Sequence, residues 1–165
     1  MTAASTENKP HLLYFGLAGR AELARLLFAF GGLELDSMQI AYPEFIAAKT
    51  TLDLPFGQLP TLQIGHKTYG QSLAIARYVA KLVGLYPSEP LLALQVDAFA
   101  DAIVEVYNAV FSIFLGSHDE TKEGVLLTDT MSNIIPWSLE NVHSIVDRLK
   151  QCKQLKSYLE ASHAQ

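Results

Sequence analysis

The stretch from Gly57 to Ala76, GQLPTLQIGHKTYGQSLAIA, constrains the fold more than any other part of this chain. Leu59-Pro60-Thr61-Leu62-Gln63-Ile64 is β-prone and has a proline near its start, which a strand tolerates there because the ladder has not yet begun to need backbone N–H groups. Gly65-His66 turns the chain into a second short strand, Lys67 to Tyr69. Gln71-Ser72 opens a helix running to Leu82, with Ser72 as its cap and Ile75, Tyr78, Val79 and Leu82 as its buried side. The start of a helix presents N–H groups without intrahelical partners and favours an anion, so a local anion site is expected here. A plain capping serine and an anion site are compatible readings of Ser72.

Upstream, His11 to Phe15 reads as a short buried strand, and Gly16 to Arg20 as a turn into a helix from about Ala21 to Phe30. Leu23, Leu26, Leu27 and Phe30 form the expected apolar stripe of that helix, with Glu22 and Arg25 turned away, and Gly31-Gly32 ends it. Glu34 to Ala41 alternates as a second strand, Tyr42 to Lys49 reads as a short irregular helix, and Leu52 to Gly57 as a loop. The order β-α-β then β-β-α predicts a mixed four-stranded sheet with helices on both faces, the thioredoxin-like plan.

Tyr86-Pro87-Ser88-Glu89-Pro90 is the best linker in the sequence, which puts a boundary near Pro87. Beyond it the pattern is helical: Leu91 to about Leu115, then a polar loop from Gly116 to Gly124, then helices at Val125–Ile135, Ser138–Lys150 and Lys153–Ser162. The expected class is therefore α/β followed by all-α. Its parts are a loose leader over 1–10, a thioredoxin-like domain over 11–86 and a helical domain over 91–165.

The net charge of −5 gives no bulk basic surface for nucleic acid or anionic membrane, so any anion site must be local. The single cysteine, Cys152, makes no internal disulfide, and the five histidines show no spacing suited to zinc. No apolar run reaches the length of a membrane span, and the first ten residues lack a signal-peptide core, so a cytoplasmic protein is the expectation.

The segments LLYFGLAGRAELARLLFAFGG, LPFGQLPTLQIG, QSLAIARYVAKLVGLYP and QVDAFADAIVEV together resemble the cytosolic glutathione transferases, most of all the sigma class that includes prostaglandin D synthases. The resemblance implies glutathione as co-substrate, a small electrophile as second substrate and a homodimer. It implies that Tyr14 stabilises the thiolate and that Arg20 raises the positive potential beside it. It also implies a cis bond before Pro60, backbone pairing of Leu59 with glutathione, and a γ-glutamyl carboxylate held by Gln71 and Ser72. Tyr42, Lys49 and Gln58 fall at further glutathione contacts, and Glu105 reaches the neighbouring subunit's ligand. Glu105 ends a row with Asp97 and Asp101 at four-residue spacing, which otherwise reads as a solvated helix face.

Against the family pattern, the helical domain looks internally shortened after Glu123, by two helices or more. Two further readings therefore stand beside a conjugating transferase. One is a glutathione-dependent prostaglandin isomerase; the other is a non-catalytic binding or structural protein of the kind found in lens crystallins.

Overall fold

A computed structural model of the chain describes residues 9–115 together with Ser157, Tyr158, Glu160 and Ala161, with α4 side chains described as far as Asn108. The expected Gly116–Gly124 loop, the helices at Val125–Ile135 and Ser138–Lys150, Cys152 and most of the leader lie outside the described residues. The chain divides into two compact units, Met1–Tyr86 with Lys153–Gln165, and Pro87–Cys152.

The first unit is the β-α-β, β-β-α arrangement that the sequence predicts. Its elements are β1 (His11–Phe15), a 3-10 turn (Gly19–Ala21), α1 (Glu22–Phe30), β2 (Asp36–Ile40), α2 (Tyr42–Ala48), β3 (Thr61–Ile64), β4 (Lys67–Tyr69) and α3 (Ser72–Leu82). The sheet order is β2-β1-β3-β4. β1 runs parallel to β2 and antiparallel to β3, and β4 closes the sheet antiparallel to β3.

Alternation along β1 sets the two faces. Leu12 and Tyr14 are buried, whereas His11, Leu13 and Phe15 are half-buried. Leu12 stands opposite Leu62 of β3, and this pair joins Ala24 and Phe28 of α1 with Ile75 and Val79 of α3 in one core. On the other face Phe15 meets Phe45 of α2 edge-to-face at 5.5 Å between ring centroids, a favoured aromatic geometry. β2 starts two residues later than expected, where the Asp36 N–H pairs with the Pro10 carbonyl at 2.9 Å.

Two helices are rotated relative to the sequence expectation. In α1 and the turn before it the buried positions are Ala21, Ala24, Arg25 and Phe28, an i, i+3, i+4, i+7 stripe, while Leu23 is exposed. Small alanines let this face sit close to the core. Arg25, expected to point away, is only 9% exposed, because the interior supplies acceptors for its guanidinium. In α3 the buried residues are Ile75, Ala76 and Val79, and Tyr78 and Leu82 are exposed.

Both helices end in the same way. At the end of α1 the Leu33 N–H reaches the Phe28 carbonyl and the Gly32 N–H the Ala29 carbonyl, with Gly32 at φ +61°. This double bond pattern satisfies carbonyls that the helix itself leaves unpaired. The end of α3 repeats it, with Leu85 and Gly84 donating to Ala80 and Lys81.

In the second unit α4 spans Pro90–Leu115. Proline occupies its first helical position, and both Glu89 carboxylate oxygens accept backbone N–H groups, from Leu91 at 2.9 Å and Leu92 at 2.7 Å. Leu91, Leu92, Leu94, Val96 and Ile103 are exposed along it. Among the described residues no helix is long and apolar enough to cross a membrane, and no cluster of His, Cys, Asp or Glu forms a metal site.

Candidate functional site

Tyr14 lies near the end of β1, 4% exposed, beneath the loop that leads into α1. Its hydroxyl oxygen accepts the backbone N–H of Arg20 at 3.2 Å, so its own proton remains to donate elsewhere. That approach requires glycine at position 19. Gly19 has φ +49°, and a Cβ there would stand 2.7 Å from the Tyr14 hydroxyl oxygen and 2.9 Å from its Cε1.

Arg25 holds the same loop from below. Its Nη1 donates to the Leu17 carbonyl at 3.0 Å and to Glu22 Oε2 at 3.2 Å, and its Nε donates to Ser37 Oγ at 3.0 Å. The guanidinium carbon lies 5.9 Å from the centroid of the Tyr14 ring, within reach of a cation–π attraction.

Arg20, Gln58, Leu59, Pro60, Gln71 and Ser72 line one small cleft with Phe56. The Leu59–Pro60 bond is cis. The cleft ends at the start of α3, where the cap is Gln71 and not Ser72: the Gln71 carbonyl accepts the Ile75 N–H at 3.0 Å, and Ser72 is already the first helical residue. No side chain caps this terminus, so the leading N–H groups of α3 are left for an external acceptor. Gln71 has φ 70°, ψ 106°, a sparsely populated conformation that costs on the order of 1–3 kcal/mol and is found preferentially at ligand sites.

Six of the ten residues singled out in the sequence thus meet at one cleft, and Tyr14 reaches it through the Arg20 backbone. Tyr42 and Lys49 do not line it. Tyr42 begins α2 with its ring 6.0 Å from Phe15, and Lys49 stands over Phe45 at 5.7 Å. Glu105 is exposed on α4, in the other unit.

Phe56 and Arg25 escaped the sequence reading. Phe56 is 60% exposed and packs so closely on Gly70 that a Cβ there would meet its Cδ2 at 2.7 Å. The signal was an aromatic in the Pro55-Phe56-Gly57 loop just ahead of the strand proline. For Arg25 it was a lone cation in helical register with Ala21, Ala24 and Phe28.

A larger cavity of about 990 Å³ lies elsewhere in the first unit, bordered by Leu17, Glu22, Arg25, Ser37 and Tyr158 among others. None of the ten predicted residues lines it. Tyr158 donates its hydroxyl to Glu22 Oε1 at 2.8 Å. Burial, then the hydrogen bond and charge of Glu22, push this phenol up to about 12, against a smaller opposing effect of Arg25.

No family model matches the chain. Among curated proteins, it is 35% identical over 135 residues to glutathione S-transferase S1 of Drosophila melanogaster, covering 82% of this chain and 53% of that protein. It is 33% identical over 137 residues to hematopoietic prostaglandin D synthase of Gallus gallus, covering 82% and 65%. The chain thus spans between half and two thirds of the length of these relatives. Among solved structures, a major nematode C. elegans specific GST superposes with a TM-score of 0.72 at 26% identity, over 83% of this chain and 69% of that one. Rat hPGDS complexed with a quinoline gives 0.61 at 30% identity, over 81% and 65%.

Proposed function

We propose that this chain, which is similar to sigma-class-like glutathione S-transferases and hematopoietic prostaglandin D synthases, binds glutathione in the Arg20–Ser72 cleft and activates its thiol with Tyr14. The observation that carries this reading is the meeting of the cis Leu59–Pro60 pair, the uncapped start of α3 and Arg20 at one cleft. A tripeptide offers what each part lacks. Its backbone pairs with Leu59. Its γ-glutamyl carboxylate takes the free N–H groups at Ser72, where an anion is favoured by about 0.3–1 kcal/mol when exposed and more when partly buried.

A free thiol ionises near pH 8.5, so only a few per cent is thiolate at neutral pH. The Tyr14 hydroxyl, held by the Arg20 N–H on one lone pair, keeps its proton and donates a hydrogen bond to the sulfur, which favours the anion as the thiol proton leaves to solvent. Lowering the thiol pKa by two units needs about 2.7 kcal/mol, within reach of a charge-assisted hydrogen bond together with the nearby helix terminus. The thiolate then attacks a small electrophile held beside it. The partner reading is a homodimer, which light scattering on the full chain tests.

The second reading is a non-catalytic glutathione-binding protein, in which the same cleft holds the tripeptide and Tyr14 takes no part in chemistry. Retention on immobilised glutathione, with conjugation of a generic aryl halide by the parent and by Tyr14→Phe, separates the readings. The proposal expects retention by both chains and turnover that falls about tenfold or more in Tyr14→Phe. Lack of retention removes glutathione binding. Retention without turnover leaves the non-catalytic reading, and turnover indifferent to Tyr14→Phe removes that residue from the chemistry.

A further inference from the structure

We infer that Tyr158, through Glu22 and Arg25, positions the loop that orients the Tyr14 hydroxyl, making the C-terminal segment part of the thiol-activating machinery. The inference rests on the role of Tyr14 given above. Its links are contiguous. Tyr158 donates to Glu22 Oε1 at 2.8 Å, and the other oxygen of the same carboxylate accepts Arg25 Nη1 at 3.2 Å. Nη1 also holds the Leu17 carbonyl at 3.0 Å, with the Ala18 carbonyl at 3.5 Å. Two residues further, the Arg20 N–H meets the Tyr14 hydroxyl.

This arrangement is sensitive because Arg25 is incompletely satisfied. Its Nη2 is buried with no hydrogen-bond partner among the described residues, an unfavourable condition that leaves the guanidinium held by its Nε and Nη1 contacts alone. Glu22 resists rotation of the guanidinium by fixing Nη1, and Tyr158 resists it by fixing Glu22. The charged and titratable groups that meet here are Glu22 and Arg25 on α1, Tyr14 on β1 and Tyr158 on the C-terminal segment; Ser37 on β2 is the neutral anchor. Without the Tyr158 hydroxyl the carboxylate gains rotamers, the guanidinium follows, and the Leu17 and Ala18 carbonyls lose their tether. The Gly19–Arg20 turn then holds Tyr14 less well. No residue of the glutathione cleft is touched by this change except through Arg20.

The test uses the full chain as parent, Tyr158→Phe, Tyr14→Phe and the double variant, with Glu22→Gln as an independent cut of the same chain of contacts. Glutathione affinity and the pH midpoint of the bound thiol are read from ultraviolet thiolate absorbance. Exchange of the Arg20 amide hydrogen is followed by NMR without ligand. Tyr158→Phe and Glu22→Gln are expected to raise the thiol midpoint by about half a unit, a roughly threefold fall in the thiolate-to-thiol ratio. Affinity should stay within twofold, Arg20 exchange should quicken about threefold, and Tyr14→Phe should abolish the midpoint shift. An unmoved midpoint overturns the inference, as does a shift of equal size in the Tyr14→Phe background. If the parent holds no glutathione, the reading of the cleft fails by itself, and an unmoved Arg20 exchange rate then overturns the linkage to Tyr158.

Discussion

Gly19→Ala is the sharpest test of how the Tyr14 loop is built. Two costs add at that position. An alanine at φ +49° carries a left-handed backbone penalty of roughly 1–2 kcal/mol. Its Cβ would also stand 2.6 Å from Leu17 Cδ1, 2.7 Å from the Tyr14 hydroxyl oxygen and 2.9 Å from Tyr14 Cε1. Leu17 is 48% exposed and swings aside, whereas Tyr14 is enclosed and does not, so the tyrosine contacts add an overpacking cost of about 1–3 kcal/mol. Gly84→Ala supplies the control, since φ is +71° there and nothing lies within 4 Å of the added Cβ. Denaturant unfolding should therefore show Gly84→Ala losing roughly 1–2 kcal/mol and Gly19→Ala a further 1–3 kcal/mol. In a Tyr14→Phe background the excess should shrink, because the nearest tyrosine contact has gone. A Gly19→Ala chain no less stable than Gly84→Ala, or an excess unaltered by Tyr14→Phe, would refute the packing argument.

Arg25→Lys should destabilise the first unit by about 2–4 kcal/mol in the same assay, since one ammonium cannot serve both Ser37 and the Leu17 carbonyl; a loss below 1 kcal/mol would count against the buried fork. Tyr158 has a folded pKa above its ordinary 10, so its stabilising effect is complete below pH 10 and is lost as pH rises towards 12. The stability gap between the parent and Tyr158→Phe should therefore be at most about 1 kcal/mol after solvent screening, flat up to pH 10, and should close above it. His11→Ala should cost no more than about 1 kcal/mol, because its 2.7 Å contact with Asp36 is solvent-exposed on both sides.

The sequence reading located the elements better than their faces. Apolar runs and Gly/Pro punctuation marked α3 at Ser72–Leu82 and the β3–β4 hairpin, because those signals are local. Which side of a helix is buried depends on what it packs against. The α1 stripe therefore rotated from the leucines to Ala21, Ala24, Arg25 and Phe28, where small residues permit close approach and the Leu17 carbonyl accepts a hydrogen bond from the buried guanidinium. The cleft was legible where contiguous motifs built it, at Gln58-Leu59-Pro60 and Gln71-Ser72. The tie from Tyr158 to Glu22 spans 136 positions, and no spacing or periodicity in the chain announces it.

The close meeting of Gly31 with Val83, where a Cβ on the glycine would come within 2.2 Å of Val83 Cγ1, brings the trailing ends of α1 and α3 side by side. Their leading ends then lie together as well, Ser72 on the cleft and Arg20 just ahead of α1 on the same cleft. The positive end of α3 and the turn that leads into α1 thus border one cleft of a molecule whose net charge is −5. Attraction for an anion here comes from local groups, the peptide N–H groups at the start of α3 together with Arg20, and depends little on distant surface charges.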